Sequence, residues 1–320
     1  MPVLFGHLRR PGRSIWSGLG FTLALAEIVV VGPLVSPLHA QQSVQRALYV
    51  SVLTGDGVPI QGLRDIDFLV HEDGVDREVL RAERSTAPMQ VAILVDTSEA
   101  ARRIIGDLRR GVESFVHELP DDTTIALITF AGARSVLVES TTRGERLQSG
   151  ISKLFSRPDT ATYLVNALRD TAGDFEKRDA THPVIVVLST TGVDFSDQDP
   201  QAVTTQLRTM GAAMHAVVMR TSTVQMNFTG RFGLAEFPSW ANRARDLMLD
   251  IGPGQTGGHR IDISTVNGLT EVLSRLAFEL SNQYLVVYAS PDSLVPPQAV
   301  QVGVNSNEPV TVRAVPARSR

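Results

Sequence analysis

VAILVDTSEA, residues 91–100, runs five apolar residues straight into Asp96-Thr97-Ser98. A continuous apolar run bounded by polar residues suits a strand that is covered on both faces. Its polar end matters as much. In open doubly wound sheets, ligands bind beyond the carboxyl ends of strands, where strand order reverses. Asp96 and Ser98 therefore stand either on a ligand rim or at the cap of a following helix. Both residue types are favoured N-caps, and a carboxylate is stabilised at a helix N-terminus.

Working outward, strands and helices alternate from Ala87 onward. Ile104, Leu108, Val112, Phe115 and Leu119 recur at helical spacing. TTIALITFA (123–131) reads as a second buried strand, with RSVLVES (134–140) beside it. HPVIVVLST (182–190), AMHAVVMR (213–220) and HRIDI (259–263) read as further strands. Pro183 lies at the first positions of its strand, where a missing N–H is tolerated. Helices are expected over 144–155, 163–177, 199–211, 238–250 and 266–282. This order predicts an α/β domain over 87–282: a doubly wound, mostly parallel sheet with helices on both faces.

The flanks are β-rich. ALYVSVL (47–53) alternates, and Asp73-Gly74 turns the chain between two candidate strands. QYLVVYAS (283–290), AVQVGV (299–304) and PVTVRAV (309–315) close the chain. A short meander cannot bury both of its faces alone. The segments 41–86 and 283–320 are therefore expected to pair as a small β-sandwich-like domain, with the α/β domain inserted between them.

Bulk properties bound the rest. A chain of 320 residues suggests about two domains. Its 43% hydrophobic content allows a sizeable core, and a net charge of -4 gives no general attraction to nucleic acid. The absence of cysteine excludes disulfides, thiolate metal sites and a cysteine nucleophile. Residues 1–40 have the layout of a secretory signal: Arg9, Arg10 and Arg13, then an apolar stretch from Ile15 to Val35, then Leu38-His39-Ala40. An uncleaved anchor is the alternative, although Glu27 and Pro33 interrupt the stretch. No later stretch is long and apolar enough to span a membrane. Export to the periplasm or the cell exterior is the expectation.

Several formal motifs lead nowhere. Gly252, Gly254 and Gly257 spell Gly-x-Gly-x-x-Gly, but between a helix and a strand, the reverse of a dinucleotide site. Helix termination explains them better. The seven histidines form no zinc-ligand pair, and His215 reads as a core residue. No Gly-x-Ser-x-Gly elbow is present. Asp121-Asp122 and Asp194/Asp197/Asp199 read as solvated turns. The loop 221–236 carries Met226, Phe228, Phe232 and Leu234, which would form either a partner surface or a lid.

Three stretches carry a family resemblance: VLTGDGVPIQGLRDIDFLVHEDGVDREV (52–79), VAILVDTSEAARRIIGDLRRGVESFV (91–116) and TGGHRIDISTVNGLTEVLSRLAFELSNQYLVVY (256–288). Together they resemble von Willebrand factor A domain proteins, and more narrowly the VWFA-related proteins abundant in acidobacteria. The resemblance implies a five-part metal-ion adhesion site. Asp96 and Ser98 fill its first two places, and TATYLVNAL (160–168) puts Thr162 in the fourth. Ala100 stands in the third place and Thr191 in the fifth, where a hydroxyl and a carboxylate are expected. Mg²⁺ or Mn²⁺ would therefore bind weakly, since hard cations want several oxygen ligands and Mg²⁺ dehydrates reluctantly.

The implied function is that of a non-enzymatic adhesion-type module that binds an unidentified protein partner through this rim, with no cofactor certain. A metal-free structural scaffold of the cell envelope is the alternative. A hydrolase lacks nucleophile, zinc and cofactor motifs.

Overall fold

The structure is a computed structural model that describes residues 43–220, 240–292, 297 and 299–318. The signal reading of 1–40 and the partner-surface reading of 221–236 lie outside the described residues.

The strand that opens the α/β part, β5 (Gln90–Val95), is buried from Val91 onward. It is central. Its neighbours are β6 (Thr124–Thr129) on one side and β8 (Pro183–Thr190) on the other, both parallel to it. Beyond β8 lie β9 (Ala213–Met219) and β10 (Arg260–Ile263), also parallel. The far edge is β7 (Ser135–Thr141), antiparallel to β6. The sheet order is thus β10-β9-β8-β5-β6-β7. The chain leaves β5 in one direction and later returns to its other side, so the strand order reverses at β5. The switch point lies where β5 and β8 end, at Asp96 and Thr190.

Helices cover both faces. On one face α1 (Ile105–Glu118) and α6 (Leu269–Leu280) bury Leu108, Val112, Phe115, Leu273 and Leu276 against Ile93, Val95 and Val186. On the other, α3 (Leu164–Lys177), α4 (Pro200–Thr209) and α5 (Arg243–Gln255) bury Leu168, Phe175, Leu207 and Met248 against Leu94, Ile185 and Val187. Each fully buried aliphatic side chain contributes about 1.5–3 kcal/mol relative to exposure. The alternation of faces along β5, with Ile93 on one and Leu94 on the other, is why the run has no polar residue. The short α2 (Glu145–Ser152) sits beside β6 and β7 through Leu147 and Ile151.

The flanking segments assemble a β-sandwich. Its larger sheet has the order β13-β1-β11-β4, built from β1 (Ser43–Thr54), β4 (Val79–Arg84), β11 (Tyr284–Pro291) and β13 (Val310–Pro316). β1 lies between the two C-terminal strands, antiparallel to both. The smaller sheet has the order β12-β2-β3, from β2 (Phe68–Glu72), β3 (Val75–Arg77) and β12 (Val300–Val304). Leu48, Val50, Val52, Phe68, Val70, Val286 and Tyr288 fill the space between the sheets. Residues 41–320 form one compact unit.

Two expectations move. The helix expected over 238–250 is α5, Arg243–Gln255, so it runs through Gly252, Pro253 and Gly254. Its apolar spacing fades after Leu249, which hides the last turn from a periodicity reading. The helix after Asp96 also does not begin at the strand end. A 3₁₀ turn, Glu99–Ala101, intervenes, and α1 starts only at Ile105.

Candidate functional site

The delayed start of α1 removes the capping role considered for Asp96 and Ser98. Ser98 precedes the 3₁₀ turn, but its side chain makes no capping bond. Asp96 instead ties two strands' ends together. Its Oδ1 accepts from the Ser98 amide at 2.8 Å, and its Oδ2 accepts from the Thr190 amide at 3.1 Å. The Thr190 hydroxyl also donates to Oδ2, at 2.5 Å. Asp96 is 0% exposed. A buried carboxylate persists only when its oxygens are satisfied, and here three donors do so.

Thr162 belongs to a second cluster. Its hydroxyl donates to Asp194 Oδ2 at 2.8 Å and lies 3.2 Å from the Val193 carbonyl. Asp194 Oδ2 also accepts from the Leu164 amide at 2.9 Å, and Oδ1 accepts from the Ser196 amide at 2.8 Å. Asn242, in a left-handed conformation, closes the far side: its Oδ1 accepts from the Asp194 amide and its own amide donates to the Asp194 carbonyl. Asp194 is 1% exposed, so it is no solvated turn residue. The sequence signal was its neighbours: Val193 and Phe195 flank a carboxylate that a solvent loop would not enclose.

The loop between Thr190 and Asp194 joins the clusters at Gly192. The position a Cβ would take on Gly192 is 2.6 Å from Ala100 Cβ, 3.2 Å from Thr190 Oγ1 and 3.6 Å from Ser98 Oγ. Only glycine fits against that methyl group. Arg245 of α5, itself buried, donates to the Gly192 carbonyl from behind and to Asp246. Thr97 Oγ1 and Ser98 Oγ are buried with no hydrogen-bond partner.

Of the predicted site residues, Asp96 and Ser98 share one strand end, while Thr162 pairs with Asp194. Thr190, not singled out from sequence, is the partner of Asp96. These donors do not fit a resident divalent cation. The oxygens of Asp96 and Asp194 already accept amide and hydroxyl protons, and the third place is filled by the Ala100 methyl packed on Gly192. Ser98 Oγ is the one expected ligand atom left with no bond. Among the described residues, no group of three or more His, Asp or Glu side chains could hold a metal ion.

The rim also carries aromatic side chains. Trp240, 52% exposed, lies against Phe195 at 5.6 Å between centroids, and Phe195 against Tyr163 at 6.3 Å. On the side of the first loop, Phe155 is 63% exposed beneath the Arg109 guanidinium. Two residues further on, the Arg157 amide donates to the Thr97 carbonyl at 2.7 Å.

A doubly wound sheet whose switch-point strand ends in Asp-x-Ser, faced by a threonine loop and a glycine loop, defines the class of α/β domain to which the chain's central part belongs. Residues 91–194 match the family model for the von Willebrand factor type A domain, and this part of the chain is such a domain. No curated protein matches the chain. Among solved structures it is similar to a von Willebrand factor type A protein from Catenulispora acidiphila, at 10% identity and a TM-score of 0.47, covering 85% of this chain and 72% of that one. It is also similar to the conserved hypothetical protein BatB from Bacteroides thetaiotaomicron, at 12% identity and a TM-score of 0.46, covering 61% of this chain and 100% of that one. A third likeness is proximal thread matrix protein 1 from the mussel byssus with a zinc occupied MIDAS motif, at 12% identity and a TM-score of 0.46. That match covers 66% of this chain, which spans only 49% of the mussel protein. At these identities the likenesses say nothing of what this chain binds.

Proposed function

We propose that this chain is an exported, non-enzymatic protein-binding module that engages its partner through the carboxyl-end rim of the A domain, without a resident metal ion. The observation that carries the reading is the pair of exposed aromatics, Phe155 and Trp240, on the loops that flank the Asp96 and Asp194 clusters. Binding energy at protein interfaces concentrates in a few hot-spot side chains, tryptophan among the commonest, and truncating such a residue to alanine costs about 2 kcal/mol or more. The von Willebrand factor type A match supports an interaction role. The closed hydrogen bonding of both carboxylates supports a rim that recognises by shape and apolar contact. Weak Mg²⁺ or Mn²⁺ binding through Asp96, Ser98 and Thr162 is the second reading, favoured by the unpartnered Ser98 hydroxyl.

The test uses the purified chain as bait against an envelope extract. Partner capture should persist in a chelator and fall at least about tenfold for Phe155→Ala with Trp240→Ala, as loss of two interface aromatics implies. Capture that needs added Mg²⁺ would move the conclusion to the second reading. Capture indifferent to both substitutions would remove the rim from the account. Export rests on the layout of residues 1–40. Mass spectrometry of the protein recovered from an expressing cell's envelope or medium tests it, with an N-terminus at Gln41 expected and retention in the cytoplasm contrary to it.

A further inference from the structure

Both crossings between the sandwich and the parallel sheet lie at the amino ends of the strands, opposite the rim. Residues 85–89 lead from β4 into β5, and residues 281–283 lead from α6 into β11. The Ser85 amide donates to the Gln283 carbonyl at 2.8 Å and holds the two crossings together. A cavity of about 300 Å³ opens beside them, lined by Arg84, Ala87, Asp122, Thr123, His182 and Leu280 among others.

Three histidines stand at this same end. His182 directly precedes β8, His215 lies near the start of β9, and His259 directly precedes β10. The His182 ring stacks on Tyr49 of β1, with centroids 3.6 Å apart and planes 6° apart. Its Nε2 is 3.1 Å from Gln283 Oε1, and Gln283 Nε2 donates to Ser51 Oγ of β1. His215 Nδ1 is 3.1 Å from His259 Nδ1. His259 in turn lies 3.9 Å from Glu279 Oε2, and Arg313 of β13 donates to Glu279 Oε1 at 3.0 Å. His182 thus meets the sandwich directly, His259 through Glu279, and His215 through His259 and Glu279.

Burial is what favours neutral rings here: His182 is 4% and His215 2% exposed, and against it, among the described residues, stand only the acceptors beside His182, the Ala87 carbonyl 3.4 Å from Nδ1 and Gln283 Oε1, and the Glu279 carboxylate beside His259. Two Nδ1 atoms 3.1 Å apart share one proton, one ring donating and the other accepting. Only with both rings charged would two N–H groups be set against each other, beside the Arg313 charge. His215 has no relief on its other side, since its Nε2 is buried without a partner. The charged groups facing the pair are Glu279 from α6 and Arg313 from β13. Tyr49 faces His182 from β1, while Arg84 and Asp122 line the cavity next to it. Burial lowers His182 and His259 to about 4, Arg313 adding to the effect on His259. Burial, His259 and Arg313 lower His215 well below its ordinary value. Glu279 titrates in the opposing sense, because burial raises its carboxyl. It is one group against three.

We propose that the seam is an acid-operated latch, in which protonation of His182 and of the His215–His259 pair releases the sandwich from the amino end of the parallel sheet. Each half carries its own apolar core, so each can keep its fold on release. The cavity beside His182 gives protons a path from solvent. Linkage sets the scale: a histidine that titrates near 4 when closed and near 6.5 when released favours opening by about a hundredfold at a pH of about 4.5.

Hydrogen–deuterium exchange on the purified chain, corrected for intrinsic rates, tests the latch at about pH 7 and about pH 4.5. Amides of 85–90 and 281–284 should lose protection by about a hundredfold or more in acid. Those of β5, β8 and the β1–β11 ladder should keep theirs, and the change should reverse at neutral pH. His182→Gln with His259→Gln, which keeps hydrogen-bonding capacity without the charge, should suppress the loss. Unchanged protection, an identical loss in the double variant, or simultaneous exposure of β5 and β8 would each overturn the proposal. If the variant does not fold, proton NMR titration of the unaltered chain decides. Imidazoles of the closed state that titrate near 6.5 with the crossings still protected would overturn it too.

Discussion

The hydroxyl of Thr162 donates to the Asp194 carboxylate at 2.8 Å and so joins the second and third loops of the rim by a buried side-chain bond. That carboxylate also holds the Leu164 and Ser196 amides, at the start of α3 and within the third loop. Asp194→Ala strands all of these donors in a site that is 1% exposed. Each unsatisfied buried donor costs about 1–3 kcal/mol, partly relieved by entering water. A loss of about 3 kcal/mol in urea unfolding is expected, with Asp194→Asn keeping part of it. A change under about 0.5 kcal/mol, the size usual for surface positions, would mean that the bonds do not hold the rim.

Two glycines of the 252–258 stretch should respond in opposite directions. A Cβ on Gly258 would lie 2.0 Å from the Met214 carbonyl oxygen and 2.5 Å from its carbon, both backbone atoms of β9. Gly258→Ala must push the strand aside and is expected to destabilise by about 2–3 kcal/mol. Gly254 lies within α5 and a Cβ there meets nothing within 4 Å. Gly254→Ala should stabilise by about 0.4–1 kcal/mol through the entropy of the unfolded chain. Equal effects at the two positions would contradict the packing described here. A nucleotide loop would predict the reverse emphasis, with stability indifferent and ligand binding lost.

The contrast shows which parts of the molecule were legible in the sequence. The parallel sheet was, because β5, β8 and β9 are buried on both faces and so carry unbroken apolar runs that few other structures use. The assembly of the outer strands into a sandwich followed from their need for a partner sheet. The site was legible only in part. Asp96, Ser98 and Thr162 stand at strand ends and loops that pattern reveals, but their hydrogen-bond partners depend on how loops close. Thr190 rather than Thr191 faces Asp96, and Asp194 lies three residues further on than the resemblance expects. The His215–His259 pair joins residues 44 positions apart, and no local spacing reports it.

Acid should weaken the fold as a whole, with a sign that follows from burial. His182 titrates at about 4 in the folded chain, against an ordinary 6.5 when unfolded. Between those values the unfolded chain binds the extra proton. Stability is therefore full above about pH 6.5, falls as the pH drops toward about 4, and loses no more from this group below that. The window is worth about 3 kcal/mol for His182 and a similar amount for His259, at 1.36 kcal/mol per unit. The melting temperature should decline steadily from about pH 7 to about pH 4.5, and His182→Gln should flatten part of that slope. A midpoint constant across this range would show that the ring is not held neutral.

Restoring the two missing ligands tests the judgement that the present donors do not fit a cation. Ala100→Ser with Thr191→Asp supplies the hydroxyl and the carboxylate that the adhesion-site pattern lacks. Asp96 and Ser98 already stand on the first loop, and Ser98 Oγ has no competing partner. A second carboxylate doubles the formal charge facing the ion, which a hard cation such as Mg²⁺ rewards. Serine at 100 must share the space beside Gly192, so the substitution itself should cost a little stability without metal. With Mg²⁺ at about a hundred times its dissociation constant, the double variant should gain about 2.7 kcal/mol. The unaltered chain should gain nothing measurable in the same titration, and Asp96→Asn should cancel the variant's gain. A matching shift in the unaltered chain would mean that Asp96 exchanges its Thr190 bonds for an ion, and the rim would then have to be read as a metal-dependent surface.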